Sequence, residues 1–285
     1  MKIERIVAGI DFGPSSEIVG AYSSFFAKGT GASIHLLYVI DYLVTPPAYL
    51  APYMEEEKKV AEKNFTALKE RFADAGIKTE TEIIIGRLRE SFEAVVEKTN
   101  ADMLVLGFTS HVLRRSSSEK LIKGLQMPML VVRGEKAESA RMDSIKIRRI
   151  LCPTDFSEES KKALKFANDL KDIFSAEMAV IHVLPNHIIK IKIEKIRDRD
   201  RVLQELNDEA RDNLNNFLSN YDIEKSGGVI EEGEPAKRII SFSKEKDIDL
   251  IVMGARGLGL MKGMIIGSVT DAVLKSSPCP VLVIH

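Results

Sequence analysis

The chain is written twice. Ile6-Val7-Ala8-Gly9-Ile10-Asp11-Phe12 reappears as Ile150-Leu151-Cys152-Pro153-Thr154-Asp155-Phe156, 144 positions on. At the same offset Leu36-Leu37-Tyr38-Val39-Ile40 matches Val180-Ile181-His182-Val183-Leu184. The offset then grows to 147, where Gly86 pairs with Gly233 and Asp102-Met103-Leu104-Val105-Leu106-Gly107 with Asp249-Leu250-Ile251-Val252-Met253-Gly254. Near the ends it reaches 152, where Pro128-Met129-Leu130-Val131-Val132 matches Pro280-Val281-Leu282-Val283-Ile284. An offset that drifts only between apolar runs marks insertions in surface loops. A period this long excludes a solenoid of short repeats and means two whole domains. The 285 residues suffice for two, at roughly 100–200 residues each. The boundaries fall at 1–134 and 147–285, with 135–146, rich in charge and small residues, as the linker.

Each copy alternates strand and helix. The runs at 6–10 and 250–253 are apolar on both faces, as a buried parallel sheet requires. Ile18, Tyr22, Phe25 and Phe26 form one helical stripe, and Ala163, Phe166, Ala167, Leu170 and Phe174 its counterpart. Longer charged helices are predicted over 55–75 and 197–219, after a variable loop. The class is α/β: two tandem domains, each an open, mostly parallel five-stranded sheet with helices on both faces.

Composition narrows the partners. A formal net charge of −1 and a pI near 6.6 give no draw toward nucleic acid or an anionic membrane. No apolar run approaches the roughly 18 residues of a membrane span. The opening residues read as a short strand rather than a signal peptide. Cys152 and Cys279 form neither a metal-ligand spacing nor a disulfide framework, so a reducing cytoplasm is the expected compartment. His35, His111, His182, His187 and His285 include no i, i+4 pair and no Cys/His cluster, so no metal site is expected. His182, inside an apolar strand, reads as a satisfied core residue. The basic stretch Lys190-Ile191-Lys192-Ile193-Glu194-Lys195 reads as a solvated edge.

The chemistry concentrates in Met253-Gly254-Ala255-Arg256-Gly257 and, nine residues later, Gly267-Ser268-Val269-Thr270. This stretch follows a predicted strand and opens a predicted helix. Gly254 and Gly257 permit positive φ and let backbone N–H groups approach an oxyanion. Gly267 and Ser268 begin a helix whose first N–H groups are open to an anion. Ser268 and Thr270 add hydroxyls, and Arg256 and Lys262 add charge or face solvent. No lysine follows the last glycine, so this is not a P-loop. The glycines follow the fourth strand rather than the first, so it is not the dinucleotide fingerprint. Met261, Met264, Ile265 and Ile266 make the intervening loop apolar, either packed on its own domain or serving as a lid.

Asp155 ends the first strand of the second copy and Gly254 the fourth. If those strands are neighbours, both reach one crevice at the carboxyl ends, where open α/β sheets bind ligands. A carboxylate repels phosphate, so Asp155 belongs at the nucleoside end, accepting from ribose hydroxyls or an adenine amino group. The alternative is a helix cap, a task Ser157 can also perform.

Taken together, these residues resemble the universal stress protein family: Gly, two residues, Gly, nine residues, Gly, then Ser or Thr, met from Gly254 to Ser268. The strand-one Asp, His182-Val183 and the closing Pro-Cys-Pro-Val-Leu-Val from Pro278 also match. The resemblance covers both halves, as in a tandem member. It implies a Rossmann-like strand order of 3-2-1-4-5, a regulatory role in the stress response, and bound ATP, ADP or AMP, with Mg as an optional companion. Adenine would lie near Val183 and the turn of Pro153, Thr154 and Asp155, and ribose at Asp155. Phosphates would meet Gly254, Gly257, Gly267, Ser268 and Val269, flanked by Met253, Arg256 and Thr270. It also implies pairing through the last strand, internally as a pseudo-dimer or between chains as a homodimer. Two rivals stand beside this reading: a slow ATPase using metal-activated water, and a scaffold that binds no nucleotide.

The first copy departs from the pattern. Ser110 and Arg115 replace the second and third glycines, and five residues are missing between them. Ser116 to Glu119 still reads as a capping box. A second site would use Asp11, Val39, Gly107, Arg115, Ser116 and Ser117, with arginines holding a phosphate. The plainer expectation is an empty, degenerate site kept for pairing.

Overall fold

A computed structural model describes residues 2–13, 15–41, 50–108, 121–122, 124–133, 144–196, 198–219, 221, 228–257 and 266–285. The chain divides into two compact units, Met1–Lys146 and Ile147–His285. The expected linker residues 135–143, the first-copy positions Ser110, Arg115, Ser116, Ser117 and Glu119, and the loop positions Met261, Lys262, Met264 and Ile265 lie outside the described residues.

The first unit contains β1 (Arg5–Gly9), α1 (Ser16–Thr30), β2 (Ser33–Asp41), α2 (Leu50–Asp74), β3 (Thr79–Gly86), α3 (Leu88–Thr99), β4 (Met103–Phe108) and β5 (Met129–Arg133). Its strands run β3-β2-β1-β4-β5, and every neighbouring pair is parallel. The second unit contains β6 (Arg149–Thr154), α4 (Glu158–Phe174), β7 (Glu177–Pro185), α5 (Asn186–Ile196), α6 (Arg199–Ser219), β8 (Gly228–Gly233), α7 (Pro235–Glu245), β9 (Leu250–Gly254), α8 (Ser268–Ser276) and β10 (Val281–Ile284). Its order is β8-β7-β6-β9-β10, again parallel throughout. Each unit is thus the expected 3-2-1-4-5 sheet. The two-sided burial of β9 and β10 is what covering both faces with helices demands.

The units repeat small devices as well as strands. The carboxylate of Asp102 accepts from the backbone N–H groups of Glu4 and Arg5 at 2.8 and 2.9 Å. Asp249 does the same for Arg148 and Arg149 at 2.8 and 3.0 Å. In both units the acid before the fourth strand clamps the start of the first.

One helix expectation changes. The first charged helix begins at Leu50 rather than 55. The basic stretch 190–195 lies in α5 and is largely solvated, as expected, four of its six residues being exposed. Ile189 and Ile193, four apart and so on one helical face, pack against Leu184, Val202, Leu206 and Ala210. That burial folds the segment onto its domain despite its three lysines.

Candidate functional site

The site is assembled at the carboxyl ends of β6, β7 and β9. Pro153, Thr154, Asp155, Val183, Met253, Gly254, Arg256, Gly257, Gly267, Ser268, Val269 and Thr270 all line one cavity of about 760 Å³ in the second unit. This topology brings them together because β6 pairs with both β7 and β9. At that point strand order reverses, and helices leaving neighbouring strands diverge to opposite faces.

The glycines earn their places by space rather than by torsion angle. Among the described glycines positive φ occurs at Gly31, Gly76 and Gly233, so Gly254 and Gly257 do not use the positive φ that glycine permits. A Cβ on Gly254 would stand 2.9 Å from the backbone carbon of Glu159 in the first turn of α4. A Cβ on Gly257 would stand 2.1 Å from Oδ2 of Asp155. Gly267 has room, its nearest neighbours being 3.6 Å from such an atom. It caps α8 in an extended conformation without a side-chain bond.

Beyond Gly267, the helix opens with a row of backbone donors. The first intrahelical bond runs from Asp271 N–H to Gly267 O at 2.9 Å. The N–H groups of Ser268, Val269 and Thr270 precede it and point out of the helix end, where the macrodipole favours an anion. The Thr270 hydroxyl is not available as expected, because it donates to the Gly254 carbonyl at 2.9 Å and ties loop to helix. Ser268 is exposed. Arg256 lies 3.7 Å from Glu159. Its Nε is buried without a partner among the described residues, a donor that an anion in the cavity could satisfy.

Asp155 stands between the two ends. Its Oδ1 accepts from the Ser157 N–H at 3.1 Å and the Ser157 hydroxyl at 2.6 Å. Ser157 itself caps α4, accepting from Ser160 N–H at 3.2 Å. The cap is therefore Ser157, and Asp155 braces it while presenting Oδ2 toward Gly257. His182 is a satisfied residue: its Nδ1 lies 2.9 Å from the Thr154 carbonyl, and burial lowers its pKa. A carbonyl only accepts, so Nδ1 carries the proton.

Sequence reasoning missed Phe156. It holds φ of 65° and its first-unit counterpart Phe12 holds 54°, a region costly for a bulky residue. Packing holds both there. Phe156 stacks on His182 at 4.5 Å and meets Phe217 at 5.5 Å. Phe12 meets Tyr38 at 5.1 Å and Phe65 at 5.0 Å. The repeated Asp-Phe pair was the available signal. Also missed were Ile188, Leu206, Ala210 and Asn213, which reach the cavity from α5 and α6.

In the first unit Asp11 accepts from Gly13 N–H at 2.9 Å and the Ser16 hydroxyl at 2.7 Å. Gly107 is next to last in β4, where a Cβ would stand 2.7 Å from the hydroxyl of Ser15, just before α1. Val39 is half-buried in β2. Beside it Tyr38 donates to Glu57 of α2, and burial followed by that carboxylate raises the phenol's pKa. The histidine of the second copy is thus replaced by a tyrosine committed to an acid.

Among the described residues, no cluster of three His, Cys, Asp or Glu could hold a metal, and no helix is long and apolar enough to cross a membrane. Burial pushes the Cys152 thiol up to about 12 and the Cys279 thiol to about 11, leaving neither a ready nucleophile.

The universal stress protein family's sequence profile matches residues 2–133 and again 146–285. The chain belongs to the universal stress protein family. It is a tandem member, one domain per match. A universal stress protein of Methanocaldococcus jannaschii is 29% identical over 156 residues, covering 50% of this chain and 96% of that protein. One from Mycolicibacterium smegmatis is 24% identical over 300 residues, covering 98% and 96%. Among solved structures, a universal stress protein from Archaeoglobus fulgidus shares the fold at a TM-score of 0.72 and 22% identity, over 100% of this chain and 97% of that one.

Acid should act on this universal stress protein through His285, which follows β10. Burial, then Arg256 and Lys162, lowers the His285 pKa from 6.5 to about 4. The unfolded chain therefore takes up this proton first. Stability falls as pH drops from about 6.5 to about 4 and levels off below. The contribution is on the order of 1–2 kcal/mol after solvent screening. Urea midpoints at pH 7 and 4.5 should differ less in His285→Asn than in the unaltered chain; an equal difference would remove His285 from the account.

Proposed function

We propose that the second unit binds one adenine nucleotide, as ATP, ADP or AMP, and that the protein uses it as a regulatory ligand in the stress response. The observation that carries this reading is the convergence at one switch point of an open helix N-terminus, a glycine loop and Asp155. Phosphates suit the α8 N-terminus and the orphaned Arg256 Nε; a 2′,3′-diol suits the Asp155 carboxylate beside Gly257. The apolar walls at Pro153, Val183 and Met253 suit a purine. A magnesium ion would be held by the phosphates.

Calorimetric titration with Mg-ATP should give one site per chain. Saturation at 100 times the dissociation constant should add about 2.7 kcal/mol of stability. Gly267→Trp, whose Cβ would have 3.6 Å of clearance and whose ring would occupy the helix end, should abolish both effects. Binding that survives this change would move the phosphates elsewhere.

A further inference from the structure

The cavity continues past the place a purine would occupy. Side chains alternate across a strand, and the register assigns faces. Val183 pairs with Glu231, and Glu231 bonds Arg238 of α7, so Val183 looks toward α7. A Cβ on Gly228 would meet Leu214 and Leu218 of α6, and Gly228 pairs with Val180. Val180, His182 and Leu184 therefore look the other way, toward α6, and Leu184 packs with Leu206 and Ala210. Val183 on one face and His182 and Leu184 on the other line one cavity. It passes over the strand ends from the α7 face into a chamber under α5 and α6.

A nucleotide lying from α8 across Asp155 to Val183 follows the strand order β9, β6, β7. Its purine is tied to ribose at N9, so the 6-position edge is its far end, directed toward the chamber. The apolar walls there are Leu184, Ile188, Leu206 and Ala210, with Lys192, Glu209 and Asn213 beside them. Ile188 lines the cavity and is 37% exposed. The chamber is also held open. His182 is pinned by the Thr154 carbonyl at 2.9 Å and by stacking on Phe156, so its ring cannot swing in to fill the space.

We propose that this chamber is a subsite for an apolar group carried on the 6-position edge of the bound purine. The inference rests on the nucleotide reading above. Its probe is N6-benzyl-ATP, titrated against the full chain beside ATP. The benzyl analogue should bind within about threefold of ATP or more tightly. Ile188→Trp, which fills the chamber from an exposed position, should weaken the analogue by roughly tenfold or more while leaving ATP within about twofold. Ala210→Phe fills it from the opposite wall and should act alike, with retained ATP binding reporting an intact fold. An analogue more than about tenfold weaker than ATP in the unaltered chain overturns the inference alone. An analogue that binds well and ignores both substitutions overturns the placement. If neither ligand binds the unaltered chain, the nucleotide reading falls and takes this inference with it.

Discussion

Gly254→Val should shift the urea midpoint by the equivalent of about 2–3 kcal/mol. The added Cβ would stand 2.9 Å from the backbone carbon of Glu159, 3.0 Å from its Cβ and 3.1 Å from its carbonyl oxygen. These are atoms of the first turn of α4, not the far end of a flexible side chain. The helix cannot retreat freely, because Ser157 caps it and Ala163, Leu164, Ala167 and Leu170 are fully buried behind that turn. The same residue's carbonyl receives the Thr270 hydroxyl, so a shift of Gly254 disturbs the start of α8 too. Gly267→Ala is the internal control: with 3.6 Å of clearance, it should stay within about 0.5 kcal/mol of the unaltered chain. A Gly254→Val protein as stable as Gly267→Ala would show that the close approach of α4 is not real.

Two glycines of one motif thus answer to different neighbours, and that difference was not in the sequence. The strands were legible there because their burial is two-sided and their repeat exact in register. The crevice was legible because Asp155 follows the end of one strand and Gly254 ends another. What the chain did not announce is contact between distant residues. Phe156 tolerates its left-handed backbone because His182 and Phe217, from β7 and α6, enclose it. Thr270 looked like a ligand donor until the Gly254 carbonyl, sixteen residues away, claimed its hydroxyl. The alternating isoleucines and lysines of α5 hid a stripe that only Leu206 and Ala210 reveal. Local chemistry marks where a strand or helix ends; which polar group is already spoken for is decided in three dimensions.

The same logic predicts a large effect on binding. In Gly257→Ala the new methyl would lie 2.1 Å from Asp155 Oδ2, so the carboxylate must turn away. Its other oxygen holds the Ser157 N–H and hydroxyl, and Ser157 holds the start of α4. The expected stability loss is about 1 kcal/mol, the scale of a weakened helix cap. Affinity for ATP should drop at least about thirtyfold, because the diol loses its acceptor and the loop its shape. Asp155→Ala removes the acceptor without the clash and should weaken ATP to a similar degree. Combined, the two should cost less than the sum of the singles, since the methyl then enters space the carboxylate has left. Residues in direct contact couple in this way, whereas independent ones add. Titration calorimetry on the four proteins measures that coupling, and strict additivity would separate Gly257 from Asp155 and dissolve the site as drawn.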